Sequence, residues 1–199
     1  MVEFVGFPKI PRYSRECIIT EKIGGTNAQI YIIETETPDA IEGIENALVY
    51  NAHSKLLMFA GSRSRYLTLA KGNDNHGFAG WVNDHSQELF KLGPGRHFGE
   101  WWGQGINRGY GLKEKRFSLF NVHRWGDDSV RPACCHVVPI LSRGIFDSYL
   151  IHTTLLTLSK NGSSAAPGFM NPEGIVIYHV AGNLLFKKTI LNDEKPKGE

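Results

Sequence analysis

The residues of this chain best suited to chemistry are few and widely spaced. Lys22 stands in the run Thr20-Glu21-Lys22-Ile23-Gly24-Gly25-Thr26-Asn27, an amine set between a carboxylate and a pair of glycines. A lysine amine can attack an electrophilic centre and stay bonded to it once it has lost its proton. An ordinary lysine is almost wholly protonated at neutral pH, about 4–5 kcal/mol from its reactive form. Burial, neighbouring cations or a metal shift that balance toward the neutral amine. Further along come Arg63 and Arg65 in Ser62-Arg63-Ser64-Arg65, Glu100 in Phe98-Gly99-Glu100-Trp101, and Phe120 in Phe117-Ser118-Leu119-Phe120-Asn121-Val122. Glu173 in Pro172-Glu173-Gly174-Ile175-Val176 and Lys187 in Leu185-Phe186-Lys187-Lys188-Thr189 complete the series. Guanidinium groups suit phosphate, carboxylates accept from hydroxyls, and an aromatic ring offers a face to a base. Taken singly, each has a plainer reading: a surface lysine entering a turn, solvated arginines, strand-end charges, a core phenylalanine. The histidines show no metal-ligand spacing, and His53, His97, His123 and His179 read as ordinary polar or core residues.

The elements that must position these side chains are mostly strands. Cys17–Lys22 and Ala28–Ile33 are rich in β-branched residues, and Gly24-Gly25 between them predicts a hairpin with Lys22 near its tip. Further strands are expected over Ala47–Tyr50, Leu57–Ala60, Phe117–Val122, His136–Val138, Gly174–His179 and Asn183–Leu191, the last two joined by a hairpin at Ala181-Gly182. Helical periodicity appears over Gly80–Leu92 and over Phe146–Ser159, where Phe146, Leu150, Thr154 and Leu158 fall four apart and Asp147 is a cap. Asn161–Pro172, dense in turn formers, reads as a loop delivering Glu173 to the start of a strand. The tail from Asn192 is charged and expected to fray.

Composition narrows the class without naming a partner. A chain of 199 residues can bury one sizeable core, so one domain over residues 1–199 is expected. Its net charge of +2 does not announce nucleic-acid binding, although a local basic groove remains compatible with it. Cys17, Cys134 and Cys135 form an odd set without zinc spacing and read as reduced thiols. The start, MVEFVGFPKIPRYS, lacks a cationic segment followed by an apolar stretch, and no apolar run approaches the roughly 20 residues of a membrane span. A soluble, cytoplasmic protein is expected, with no membrane partner.

In their order, the six motifs resemble those of the covalent nucleotidyltransferases: ATP-dependent RNA and DNA ligases and mRNA capping enzymes. The chain is most similar to the RNA ligase family. The resemblance runs from about Lys9 to Lys197 and includes Val138-Pro139-Ile140-Leu141 and Pro167-Gly168. It implies an α+β fold of two packed antiparallel β-sheets with flanking helices, an ATP-grasp-like nucleotidyltransferase domain without a C-terminal accessory domain. It also implies the reaction. A lysine amine attacks the α-phosphorus of ATP, AMP passes to a 5′-phosphate end, and a 3′-hydroxyl displaces AMP to seal RNA, with DNA as a less favoured strand.

Carried over residue by residue, the resemblance makes Lys22 the nucleophile and Glu21 an acceptor for the adenine amine. Arg63 meets ribose or phosphate, Glu100 the ribose hydroxyls, and Phe120 stacks on adenine. Glu173 helps hold Mg2+ or Mn2+, and Lys187 binds the α-phosphate and offsets charge in the transition state. Asn27 and Arg65 are placed toward the substrate strand. Three departures stand out. Phe120-Asn121 replaces the usual Phe-Asp. Thr189 occupies the second lysine position of a Lys-x-Lys motif, while Lys188 should point the other way. Gly24 replaces the aspartate of Lys-x-Asp-Gly, a side chain that helps orient the site in relatives. That loss puts sealing in question more than nucleotide binding, so a weak end-binding module is a second expectation. A GTP-using capping-type transferase is the third and is disfavoured by Glu21.

Overall fold

A computed structural model describes residues 2–35 and 46–194; the end of the resemblance, through Lys197, lies outside them. The chain divides into two compact units, Met1–Lys22 with Pro139–Glu199, and Ile23–Val138. Each is built on its own sheet, giving the expected α+β class.

The first unit holds a four-stranded antiparallel sheet. Its order is β11 (Leu184–Thr189), β10 (Gly174–His179), β1 (Glu16–Lys22), β9 (Ile140–Ile145). Strand alternation sends Cys17, Ile19 and Glu21 of β1 to one side and Ile18, Thr20 and Lys22 to the other. The first side is the core: Cys17, Ile19, Ile175 and Ile177 pack with Phe146 and with Leu158 of α4 (Ser148–Asn161). Asp147 caps α4 by accepting from the Leu150 N–H at 2.7 Å, a contact worth about 1 kcal/mol. That cap was legible in the sequence, as was the hairpin joining β10 to β11.

The second unit holds a seven-stranded sheet. Its path runs β3 (Val49–Asn51), β4 (Leu56–Ser62), β2 (Thr26–Glu34), β6 (Gly95–Gly103), β7 (Lys115–Leu119), β8 (His136–Val137), with β5 (Tyr66–Leu67) paired to β4. All neighbours are antiparallel except β7 and β8. One face carries Ile30, Met58, Trp101 and Phe117 into a core closed by Phe78, Val82 and Leu89. Those last three come from α1 (Phe78–Asp84) and α2 (Ser86–Leu89). The other face presents Asn27, Gln29 and Tyr31 of β2 and Arg96, Phe98 and Glu100 of β6, followed by Phe120 just past β7.

Several expectations are corrected here. β1 and β2 do not form a hairpin: β1 pairs with β9 and β10, while β2 pairs with β4 and β6. The chain passes from one unit into the other between Lys22 and Ile23, just before Gly24-Gly25. The helix expected over Gly80–Leu92 begins earlier and breaks at His85 into α1, α2 and a 3-10 turn, Phe90–Leu92. The strand expected to reach Val122 stops at Leu119, because the Asn121 side chain accepts from the Arg124 N–H and starts α3 (Val122–Trp125). Among the described residues no helix is long and apolar enough to cross a membrane, and the three cysteines are free thiols.

Candidate active site

In the first unit, register decides which side chains share a face. Lys22 lies opposite Gly174, which lies opposite Thr189, and Thr20 is linked in the same way through Val176 to Lys187. Lys22, Lys187 and Thr189 therefore stand on one side of the sheet. Lys188 is in register with Ile175 and Glu21, on the other side, and pairs with Asp193 at 3.0 Å. The Lys22 Nζ donates to the Glu173 carboxylate in a close ion pair, with side-chain exposures of 16 and 19 %. Glu173 reaches this position because Gly174 beside it lets β10 and β11 close up: a Cβ there would sit 2.2 Å from the Lys188 carbonyl oxygen. An ammonium has no lone pair, so a lysine in such a pair can act as a nucleophile only after losing its proton. Lys187 makes no hydrogen bond or ion pair among the described residues. The Thr189 hydroxyl is turned away, donating to Leu191 O at 2.9 Å, and its N–H donates to Asp193 at 2.7 Å. That N–H holds the Asp193 carboxyl below the usual carboxylate range.

Glu21 is the clearest difference from expectation. Its side chain lies on the core side, 1 % exposed. Ser163 Oγ donates to one carboxylate oxygen at 2.6 Å, and the N–H groups of Ser164 and Ala165 donate to the other at 2.8 and 2.9 Å. Burial pushes its pKa up, and the three donors oppose that shift. The carboxylate here ties down the loop between α4 and Glu173 rather than standing open to an adenine amine. The reason is alternation, which puts residues 21 and 22 on opposite faces.

In the second unit, Glu100 gathers the segment that follows the lysine. One of its oxygens accepts from the Gly25 N–H at 2.9 Å and the other from Asn27 Nδ2 at 3.2 Å. The Gly24 N–H donates to the Tyr110 hydroxyl at 2.7 Å, and Asn107 Nδ2 donates to the Gly25 carbonyl. Gly25 has no room for a side chain: a Cβ would meet Trp101 O at 2.4 Å and Trp102 Cβ at 2.6 Å. Phe120 is 41 % and Phe98 52 % exposed on the same face, adjacent because the Phe120 N–H donates to Phe98 O. Farther along it, the Arg96 guanidinium lies 3.8 Å from the Tyr31 ring centroid and donates to Gln29 at 3.1 Å.

Arg63 and Arg65 do not share a strand face. Both are exposed in the tight turn joining β4 to β5. Ser62 closes that turn: its N–H and Oγ both donate to the Arg65 carbonyl. The first unit thus brings Lys22 together with Glu173, on the sheet face shared by Lys187. The second brings Asn27 together with Glu100, on the face that also carries Phe120. Sequence reasoning missed Tyr110 and Asn107. The only signal for them was Gly103-Gln104-Gly105-Ile106-Asn107-Arg108-Gly109-Tyr110-Gly111, whose glycines mark a contorted loop.

The profile of one family, described as RNA ligase, matches residues 15–189. The chain belongs to the RNA ligase family. The match spans both units and every motif from Lys22 to Thr189. Solved structures similar to this family member include a point variant of RNA ligase R4a of Naegleria gruberi in its apo form, at 18% identity and a TM-score of 0.58, covering 88% of this chain and 50% of that one. A variant of the Naegleria gruberi enzyme with ATP and Mn matches at 18% identity and a TM-score of 0.59, covering 89% and 50%. Another with AMP and Mn matches at 18% and 0.58, with the same coverage. At this identity the likeness is one of fold, and the chain spans about half the length of these relatives. No curated protein matches it.

Proposed function

We propose that this chain is the adenylyl-transferring part of an ATP-dependent RNA ligase. The observation that carries the reading is Lys22, ion-paired to Glu173 on the sheet face that also bears Lys187. The neutral Lys22 amine attacks the α-phosphorus of ATP. A phosphorus–nitrogen bond forms, the bond to pyrophosphate breaks, and AMP is left on Nζ. A 5′-phosphate oxygen of RNA then takes the AMP, and a 3′-hydroxyl displaces it, closing the strand and releasing AMP.

Lys187 supplies positive charge to the α-phosphate as charge builds there. Phe120 stacks against adenine, Glu100 accepts from the ribose hydroxyls, and the exposed Arg63 binds ribose or phosphate. Asn27 and Arg65 meet the incoming strand, and the Arg96–Tyr31 pair on the same sheet face supports a single-stranded nucleic-acid partner. The Glu173 carboxylate, a hard oxygen donor with part of its surface open, suits Mg2+ or Mn2+ with water completing the shell. Such an ion would neutralise phosphate charge. The free thiols of Cys17, Cys134 and Cys135 support a reducing, cytoplasmic setting.

One observation favours a second reading. The Thr189 hydroxyl is committed to Leu191, so the second phosphate contact of the motif has no replacement there, as in a module that holds ends without sealing them. Intact mass after incubation with ATP and Mg2+ or Mn2+ tests the proposal. Gain of one AMP, lost in Lys22→Ala, is the expected result. ATP binding with no adduct in the unaltered chain overturns the proposal in favour of the binding module.

A further inference from the structure

The Lys-x-Asp-Gly motif that the sequence resembles has an aspartate where this chain has Gly24. The structure shows what surrounds the vacated position. Gly24 is buried, its N–H held by the Tyr110 hydroxyl at 2.7 Å. The next residue, Gly25, is held on both sides, its N–H by Glu100 and its carbonyl by Asn107. Three backbone groups of the turn after Lys22 thus each meet a side chain. Two of those side chains come from the loop between β6 and β7, more than eighty residues away in sequence.

That loop is shaped for the purpose. Asn107 and Tyr110 both adopt left-handed backbone, φ 44° and 53°, among Gly105, Gly109 and Gly111 with φ 65–72°. Side-chain-bearing residues rarely adopt this conformation, and it persists where the surroundings enforce it. Here Ile106 and Tyr110 are buried at 1 and 2 % exposure, and the Tyr110 ring packs edge-on to Trp102 with centroids 5.0 Å apart. Successive turns, Ile106 N–H to Gly103 O and Gly109 N–H to Ile106 O, hold the loop against itself. Its two left-handed side chains are the two that reach the glycine turn.

We propose that Tyr110 and Asn107 are positioning residues for the nucleophile: the 104–112 loop clasps the Gly24-Gly25 turn and fixes the backbone leaving Lys22. The inference rests on Lys22 being the nucleophile. It makes Gly24 a fitted residue. An aspartate here would bring a carboxylate into a buried position whose backbone is already held. Gly24→Asp should therefore slow adduct formation rather than restore it.

The test compares the unaltered chain with Tyr110→Phe, Asn107→Ala and Gly24→Asp. Tyr110→Phe removes one oxygen and keeps the ring against Trp102. The first readout is the single-turnover rate of AMP attachment at saturating ATP, beside the ATP dissociation constant and the melting temperature. A misaimed nucleophile should slow attachment by about tenfold or more, with ATP affinity and melting temperature nearly unchanged. The double variant Tyr110→Phe/Asn107→Ala should lose less than the product of the singles, because both hold one turn. An unchanged rate in Tyr110→Phe, or a loss matched by equal loss of ATP affinity, overturns the proposal, as does a faster Gly24→Asp. The second readout needs no activity: the Gly24 and Gly25 amides should exchange with deuterium at least about tenfold faster in Tyr110→Phe. Unchanged exchange removes the clasp. Faster exchange in a chain that never takes up AMP keeps the clasp and removes the ligase reading instead.

Discussion

A methyl group on Gly25 would lie 2.4 Å from the Trp101 carbonyl oxygen and 2.6 Å from Trp102 Cβ. Neither neighbour can yield, since one is strand backbone and both residues are buried in the sheet. Gly25→Ala should therefore push the turn off Glu100 and cost about 1–3 kcal/mol, the usual range for overpacking a filled site. Chemical denaturation measures the cost, and intact mass after ATP measures adduct formation, which should fall with it. A variant with an unchanged midpoint would mean that the turn has slack the geometry does not show. The Lys22–Glu173 pair obeys a different logic. Its groups are partly exposed, and pairs of that kind add little stability. On the proposed function its role is chemical: Lys22→Ala should leave the fold standing while abolishing the adduct, so circular dichroism and mass spectrometry together separate the two roles.

Strand β1 shows how one element serves both core and chemistry. Its period of two sends Lys22 to the Lys187 face and Glu21 to the core, where three donors from residues 163–165 converge on the carboxylate. In Glu21→Ala the Ser163 hydroxyl and the Ser164 and Ala165 N–H groups would all lose their acceptor. Leaving buried donors unpaired costs about 1–3 kcal/mol, so the melting temperature should drop and the 163–165 amides should lose protection from exchange. Retained protection would show that another acceptor serves the loop. The strands themselves were legible because β-branched runs have a strong local signal, and β10 falls over Gly174–His179 as read. Pairing was not. Gly24-Gly25 has the chemistry of a hairpin turn, yet β1 finds partners more than a hundred residues away in sequence, in β9 and β10. The strand carrying Glu100 escaped notice because Gly99 and Gly103 interrupt its pattern. The family was legible all the same, because the order of its motifs along the chain does not depend on which strands pair.

Across the whole molecule the two units carry opposite responses to acid. In the second unit, burial lowers the pKa of His97, whose ring nitrogen lies 2.9 Å from Gly93 O. An unfolded histidine titrates near 6.5. Between that value and the lowered folded one, the unfolded chain binds more protons, so stability rises with pH. The histidine contribution is complete above about pH 6.5 and is lost as pH falls below it. In the first unit, burial raises the pKa of Glu21 above its ordinary 4.5. There the folded state keeps its proton longer, so its contribution is present at low pH and lost as pH rises through the folded value. Lowering the pH from about 7.5 to 5.5 should therefore loosen Ile23–Val138 while the sheet around Glu21 holds or tightens. Exchange protection, corrected for intrinsic rates and followed separately in the two sheets, reads this directly. His97→Gln keeps a donor for Gly93 O but cannot charge, and it should flatten the acid loss in the second unit alone. Equal loss of protection in both sheets, or an unaltered slope in His97→Gln, would show that other groups govern the response to acid.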